Sequence, residues 1–405
     1  MILNEVAKCL TRRSLLQHSA AIAAALAHPC MAASDNRSDR APPRRPINIV
    51  GRWRGFNLLE MFSPPIPVPG VRIALPRAFS EDTFELIANW GFNFVRVPMS
   101  YWYWARPSEW GPMSEEILER IDRAVLLGQK YGLHVSLAMH RAPGYCVNPP
   151  TEPLSLWSND RALKATCDYW STLAKRYKYI SSRRLRFDLL NEPPYPSDAA
   201  YNLFYSTLAQ GLGDAKPMTY ADHARYVESA TKVIRQHSSE RLVIAEGVGW
   251  GTTPDTNLES LGIAHSFHCY EPVGVAQYRS PAMGKGIPWD QVPLPSWPHG
   301  WNLNQEFWTA EDLKQFFSPY TQLARSGKLV HCGEIGCYNK TPHQVTLDWL
   351  EAALSRFTGQ GIGFAMWQLE GEYGLVNSGR TDVAYVTMRD GRRLDQSMLK
   401  LLQKY

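Results

Sequence analysis

The sequence has little excess charge of either sign in its main body. Residues 1–45 hold seven of the 43 Lys and Arg but only three of the 38 Asp and Glu, so the rest of the 405-residue chain is close to neutral. Proteins that bind nucleic acid need a basic surface to neutralise phosphates. We therefore predict no nucleic acid partner.

Long hydrophobic runs are also missing from the N-terminal segment. A twin arginine, Arg12–Arg13, precedes an apolar run at about residues 19–27, which is too short to span a bilayer, and small residues follow at Ala32–Ala33. This order resembles a twin-arginine export signal, so we expect a signal peptide over residues 1–33, a flexible spacer over 34–46, and export to the periplasm or the extracellular space. An amphipathic helix belonging to the fold is the alternative, which the spacer-like sequence DNRSDRAPPRR disfavours.

Cysteine is scarce as well. Two of the seven cysteines fall in the predicted signal peptide, which leaves five, and an odd number cannot pair completely. His331, Cys332 and Cys337 lie close together in the sequence, but neither their spacing nor a second ligand pair matches a zinc signature. We predict no metal site and no cofactor.

Eight short apolar runs alternate with helical patterns along the chain. The predicted strands cover residues 52–58, 92–99, 134–140, 185–191, 241–247, 263–270, 329–336 and 363–370, and the predicted helices cover 80–91, 114–132, 159–178, 220–237, 310–326, 342–357 and 395–404. Runs that are apolar throughout, rather than alternating, are typical of strands buried on both faces. Eight such strands with helices between them predict an α/β fold, a closed (β/α)8 TIM barrel that forms a single catalytic domain over residues 47–405.

Two motifs that other barrels and sheets would carry are not present. No glycine-rich phosphate-binding fingerprint follows the first predicted strand, which disfavours an open doubly wound sheet. The same strand, RWRGFNL, has no His-x-His pair that could begin a metal-dependent hydrolase site.

Polar residues gather at or near the ends of most of the predicted strands. Active sites of such barrels lie at the carboxyl ends of the strands, and stability alone does not require polar residues there. The candidates are Arg96 on the second strand, His140 on the third, Asn191 and Glu192 on the fourth, His268 and Tyr270 on the sixth, Glu334 on the seventh and Trp367 on the eighth.

Two of these candidates, Glu192 and Glu334, form a pair of carboxyl groups that closure of the barrel would bring to the same rim. Paired carboxyl groups across a cleft are the groups that cleave a glycosidic bond. One must stay protonated while the other stays ionised. Arg96 and Tyr270 would stabilise a carboxylate, whereas an apolar, partly desolvated setting would keep the partner protonated.

Several short motifs together resemble glycoside hydrolase family 5, a large family of retaining cellulases and mannanases. They are VRVP, the strand end at His140, NEP, HCY, GE and the late Trp367, and the resemblance runs from about Arg52 to the C-terminus. It implies Glu192 as the general acid/base and Glu334 as the nucleophile. It also implies that Asn191 and His140 hold the sugar under attack, that His268 tunes Glu192, that Arg96 and Tyr270 orient Glu334, and that Trp367 forms the floor of the subsite.

The carbohydrate itself is less specified by the sequence. Rings can serve as sugar platforms, and we expect one or two of Tyr101–Trp104, Trp289, Trp297, Trp301 and Trp308 to do so while the others pin loops. Endo cleavage of a β-glucan or β-mannan by a monomer is favoured. The polar loops 140–148 and 375–385 leave open exo action on short chains or side branches, and transglycosylation is a further alternative. A sugar-binding protein without catalysis is disfavoured because both carboxylates are present.

Overall fold

The computed structural model describes residues 52–198, 218–283, 287–302 and 306–405. Residues from Pro46 to Tyr405 form one compact unit. The predicted signal peptide 1–33 and spacer 34–46 lie outside the described residues, so both stay predictions.

The described residues form a closed barrel of eight parallel strands, in which each strand pairs with its neighbours in chain order and the eighth pairs with the first. The (β/α)8 prediction is therefore confirmed. The strands are β1 Arg54–Asn57, β2 Phe94–Ser100, β3 His134–Arg141, β4 Leu185–Asp188, β5 Leu242–Glu246, β6 Ala264–Cys269, β7 Val330–Ile335 and β8 Gly363–Met366.

The strands are buried on both faces, which is why they are apolar along their length. Every residue of β2 and of β3 is buried. Two strands end well before their predicted ends: β4 ends at Asp188 rather than at residue 191, and β8 ends at Met366 rather than at residue 370. In both cases the chain leaves the ladder early, and the residues that follow point their functional groups into the barrel mouth.

Helices cover the barrel between the strands. They are α1 Glu81–Asn89, α2 Glu115–Tyr131, α3 Asp160–Arg176, α4 Tyr220–His237, α5 Ala310–Phe316, α6 Ser318–Arg325, α7 His343–Thr358 and α8 Gln396–Lys404. The prediction of one helix over 310–326 was wrong, because the chain breaks at Phe317 and a second helix starts just before Pro319. Proline fits the first turn of a helix but not its interior, since it has no N–H to donate.

Two short ribbons lie outside the barrel, where Gly300–Trp301 pairs with Phe307–Trp308 and Val386–Thr387 pairs with Arg393–Leu394. Within the described ranges no helix has both the length and the apolar character needed to cross a membrane. Five cysteines, Cys146, Cys167, Cys269, Cys332 and Cys337, are buried as free thiols, where cysteine packs as a small hydrophobic residue.

Candidate active site

The carboxyl ends of the barrel strands bring the predicted site residues together around one buried cation, Arg96. The expectation that Arg96 lies at the end of its strand was wrong, because β2 continues to Ser100 and Arg96 is fully buried inside the barrel. From there its guanidinium uses all five of its N–H groups. The acceptors are Asp188 (2.9 Å), Asn57 (3.0 Å), Glu334 (2.6 Å), Asn191 (2.9 Å) and Glu246 (2.7 Å).

Glu334 lies on β7, directly opposite His268 on β6. Arg96 donates to its Oε1, and the Tyr270 hydroxyl donates to its Oε2 over 2.9 Å. Burial has the largest effect and raises the pKa of Glu334 to about 7, while His268 and Arg96 act in the opposite direction. The carboxyl group is thus held at a fixed position by two donors, in surroundings that resist its charge.

Glu192 follows β4 with a backbone φ of 48°, in the left-handed region that non-glycine residues seldom adopt. Its backbone N–H donates to Glu246 Oε2 over 2.7 Å, and its backbone carbonyl accepts from the Tyr145 hydroxyl. Its side chain reaches His268 Nδ1 at 2.8 Å. Strained backbone of this kind persists where neighbouring contacts hold it, and it is often found at functional sites.

His268 stands between the two glutamates. Nδ1 lies 2.8 Å from Glu192 Oε1 and 3.5 Å from Glu334 Oε2, and Nε2 lies 3.1 Å from Glu246 Oε1. Burial favours the neutral ring, but the charges of Glu246 and Glu334 outweigh it and hold the pKa of His268 well above its usual value. The ring is therefore a cation that donates toward the carboxylates.

The expected difference in burial between the two carboxyl groups is the opposite of the observed one. We expected Glu192 to be the more desolvated, yet its side chain is 16% exposed and that of Glu334 is 5% exposed. The error arose because strand ends alone do not say how deeply a side chain descends into the barrel. Glu334 sits on the strand itself, whereas Glu192 lies beyond the end of β4.

Three residues predicted to contact the sugar, Asn191, His140 and Trp367, lie in the same part of the barrel. The Asn191 side chain is buried and accepts from Arg96 through its oxygen, while its amide nitrogen has no hydrogen-bond partner among the described residues. His140 stacks near Trp367 with ring centroids 5.9 Å apart. Burial lowers the pKa of His140 well below its usual value, and Arg96 adds to the effect, so this ring is neutral.

Three polar residues of the site were missed by the sequence analysis: Asn57, Asp188 and Glu246. Each ends a barrel strand, is at most 2% exposed and accepts from Arg96. A polar residue that closes an otherwise apolar strand was the available signal, as in LRFD and LVIAE. A buried strand has little use for an acid unless a cation faces it.

The rings after β2 are mostly structural. Tyr101, Trp102 and Trp104 are at most 9% exposed, and Trp102 lies under the Arg141 guanidinium at 4.0 Å. Tyr103 is partly buried against the core. These rings therefore hold the loop against the barrel, and little of their surface is free for a sugar.

The other rings and loops divide in a similar way. Trp289, Trp297, Trp301 and Trp308 are half-buried against core clusters, which leaves part of each side chain accessible. In the loop after β8, Arg380 donates to the backbone carbonyls of Cys337, Tyr338 and Thr341, and Asp382 accepts from the backbone of His343. Both residues fasten loops.

The group of residues that most resembles a ligand set for a metal is the site itself, where atoms of Glu192, His268 and Glu334 lie within 4.8 Å of one another. His268 carries a proton on the nitrogen that faces both carboxylates, since its pKa is raised. The arrangement therefore fits proton transfer and nucleophilic attack.

The chain is similar to known polysaccharide-degrading enzymes. A family model described as cellulase (glycosyl hydrolase family 5) matches residues 61–372. Endoglucanase C of Acetivibrio thermocellus is 25% identical over 327 residues, which cover 75% of this chain and 88% of that protein. Cellodextrinase A of Ruminococcus flavefaciens is 24% identical over 296 residues, or 72% and 78% of the two chains. A crystal structure described as a glycoside hydrolase superposes with a TM-score of 0.76 at 30% identity and covers 87% of this chain and 99% of that one.

Proposed function

Because the chain belongs to glycosyl hydrolase family 5 and is therefore a glycosidase, we propose that it hydrolyses a β-linked glucan with retention of configuration. In this proposal Glu334 is the nucleophile and Glu192 is the general acid and base. The prediction from the NEP and GE motifs thus becomes a specific mechanism for this site.

One observation carries the proposal: an oxygen of Glu192 and an oxygen of Glu334 lie within 4.8 Å of each other. Retaining glycosidases keep their two carboxyl groups about 5–5.5 Å apart, whereas inverting enzymes need roughly 6.5–9.5 Å to admit a water molecule. The short separation supports direct attack by a carboxylate on the anomeric carbon.

The first step forms a bond between Glu334 and the anomeric carbon while the bond to the leaving oxygen breaks. Arg96 and Tyr270 hold the attacking carboxylate by one donor on each oxygen. Glu192 delivers its proton to the leaving oxygen, so the departing sugar leaves as a neutral alcohol.

The second step reverses the role of Glu192. Formation of the glycosyl ester removes the negative charge of Glu334, and with it the repulsion that favours a proton on its neighbour. Glu192, which gave up its proton in the first step, accepts a proton from the attacking water. Water releases the sugar and restores both carboxyl groups.

Sugar contacts would come from the wall of the site. The unpartnered amide nitrogen of Asn191 can donate to the hydroxyl next to the anomeric carbon, and the exposed part of Trp367 can carry the ring. His140 is neutral, so it can both donate and accept.

The substrate is proposed from the names of the relatives. One relative is named as an endoglucanase and another as a cellodextrinase, which favours a β-glucan cleaved internally and keeps exo action on short chains as the second candidate. A β-mannan or a transfer to a sugar acceptor would need the same two glutamates. We propose a monomer that acts after export.

A substrate screen with stereochemical analysis tests the proposal. Purified protein would be incubated with β-glucan, β-mannan, xylan, arabinan and aryl glycosides, and the anomer of the first product would be followed by NMR. We expect a β product from a β-glucan, with viscosity falling faster than reducing ends appear. An α product would contradict the two-glutamate mechanism, and a steady release of short sugars without loss of viscosity would favour exo action.

A further inference from the structure

Glu246 is a buried acid to which the sequence analysis assigned no role. It is the last residue of β5 and is 2% exposed. Its Oε1 accepts from Arg96 at 2.7 Å and lies 3.1 Å from His268 Nε2, and its Oε2 accepts from the backbone N–H of Glu192 at 2.7 Å. The Glu246 carboxylate thus contacts Arg96 and His268, which support the side chains of Glu334 and Glu192, and it also contacts the backbone of Glu192.

A comparison with Asp188, a second buried acid at Arg96, shows which contacts are particular to Glu246. Asp188 is also fully buried, and it accepts from Arg96 at 2.9 Å. Among the hydrogen bonds and ion pairs of the described residues, Asp188 has none with His268 or with Glu192. Both acids therefore neutralise the same cation, and Glu246 alone of the two reaches the acid/base.

The backbone of Glu192 depends on the second oxygen of Glu246. With φ at 48° the residue is in a conformation that costs on the order of 1–2 kcal/mol for a non-glycine residue. Its N–H is directed at Glu246 Oε2, and a charged acceptor makes this a strong hydrogen bond. The bond fixes where the Glu192 side chain begins its path into the site.

The turn after β5 holds the same segment from the other side. Trp250 and Gly249 donate their backbone N–H groups to the carbonyls of Pro193 and Pro194. A Cβ added at Gly251 would lie 3.0 Å from the backbone nitrogen of His268, so this turn is packed tightly against β6. Glu246 therefore sits in a rigid support rather than on a mobile loop.

We propose that Glu246 is a positioning residue for the acid/base: it keeps His268 charged and directed at Glu192, and it anchors the backbone of Glu192. The inference rests on the proposed function of Glu192.

The charges around His268 support this assignment. The ring is fully buried, and the ionisable groups that face it come from every neighbouring strand or loop of the site. These groups are Glu192, Glu246, Glu334, His140 and Tyr270, and Arg96 forms ion pairs with Glu246 and Glu334. Burial opposes the charge of Glu246, but His268 and Arg96 outweigh it and lower the pKa of Glu246 to about 2, so it is an anion throughout the neutral range.

A kinetic comparison of Glu246→Gln with Asp188→Asn tests the proposal. Both variants remove one carboxylate from Arg96 and keep the shape of the side chain. The probes are 2,4-dinitrophenyl β-cellobioside, whose leaving group needs no proton, and 4-methylumbelliferyl β-cellobioside, whose leaving group benefits from one. For Glu246→Gln we expect a loss of kcat/KM that is about tenfold larger on the second probe, because only its leaving group benefits from a correctly placed acid. For Asp188→Asn we expect equal losses on both.

A measurement that needs no turnover accompanies the kinetics. In protein labelled with 15N-histidine, the two ring nitrogens of His268, assigned from the spectrum of His268→Asn, report whether the ring is charged. We expect both nitrogens to stay protonated from pH 5 to pH 8 in the wild type and in Asp188→Asn. In Glu246→Gln we expect the ring to lose one of its two protons within this range. Glu246→Asp, which keeps the charge, should restore the protonated ring.

The outcomes separate this inference from the proposed function. Equal kinetic losses on both probes, or a His268 titration that is unchanged by Glu246→Gln in a folded variant, would overturn the positioning role. Wild-type protein that cleaves neither cellobioside would count against the proposed substrate, and the histidine titration would then decide the electrostatic part of the inference by itself.

Discussion

Arg96 sets the electrostatic character of the site, because it is a fully buried cation surrounded by acids. Asp188, Glu246 and Glu334 each place an oxygen within 2.9 Å of its guanidinium. Such a cluster is stable only if its hydrogen bonds are complete, and all five N–H groups are used. Burial, together with the charges of Glu192 and Glu246, raises the pKa of Glu334 to about 7, so its protonation depends on pH in the neutral range.

Replacement of Glu192 tests its proposed role as the acid/base. In Glu192→Ala we expect kcat/KM on 4-methylumbelliferyl β-cellobioside to fall by about 10²–10⁴-fold, because the leaving oxygen receives no proton. Azide should restore turnover of 2,4-dinitrophenyl β-cellobioside, since a small anion can enter the space left by the carboxylate, and NMR should identify a β-glycosyl azide. Glu334→Gln should form no such product. An α-azide from Glu192→Ala would mean that the two roles are assigned the wrong way round.

The raised pKa of Glu334 predicts how stability changes with pH. The folded protein binds this proton more tightly than the unfolded chain, so the contribution is complete below about pH 4.5 and is lost as the pH rises through about 7, a change of roughly 3 kcal/mol. The pKa of Asp188 is raised in the same direction, to about 7, mainly by burial.

Urea unfolding at pH 5 and at pH 8 measures this effect. We expect wild-type protein to lose stability between these values, and Glu334→Gln to lose less, because glutamine does not titrate. Asp188→Asn serves as a second variant with the same expected sign. Parallel changes in all three proteins would show that these carboxyl groups are already ionised at pH 5.

The turn after β5 supports the segment that follows Glu192. Gly249, Trp250 and Gly251 have consecutive φ values of 63°, 60° and 81°. In this left-handed run the N–H groups of Gly249 and Trp250 face the segment after Glu192. Gly251 also needs to be glycine because a side chain would press against His268. Position, rather than direct chemistry, is what this turn contributes.

Two glycines with similar backbones separate strain from packing. Gly251→Ala and Gly262→Ala both place alanine at a positive φ, which costs about 1–2 kcal/mol. A Cβ at Gly262 meets no atom within 4 Å, whereas one at Gly251 meets the backbone and ring of His268. We expect the thermal midpoint to fall in both variants, and kcat/KM to fall only in Gly251→Ala. Full activity in a folded Gly251→Ala variant would show that His268 tolerates displacement.

Closure of the whole barrel brings together residues that are far apart in the chain. Glu192 and Glu334 belong to different halves of the sequence, and parallel pairing of β4 through β7 places them on the same rim. The fold and the family are thus established, while export stays a prediction from the N-terminal sequence.

Export can be tested in a bacterial host that has a twin-arginine translocase. We expect the double variant Arg12→Lys, Arg13→Lys to accumulate in the cytoplasm, because the twin arginine is the part of the signal that the translocase recognises. Arg44→Lys, Arg45→Lys in the predicted spacer is the matched control and should be exported. Cell fractionation followed by an activity assay would show it, and equal export of both variants would contradict the predicted signal.

The barrel and the family could be anticipated because they depend on local patterns, and so could the gathering of most candidate site residues at the carboxyl ends of the strands. An apolar run of strand length reports burial on both faces, and a polar residue at its end reports the rim, as for Glu192, His268 and Glu334. The depth of each side chain could not be anticipated. Arg96 descends into the barrel, and Glu334 is more buried than Glu192, because depth is set by strand register and barrel closure. Glu246 gained its significance only when β5 placed it between Arg96 and His268, since charge networks depend on distances in space rather than on positions in the chain.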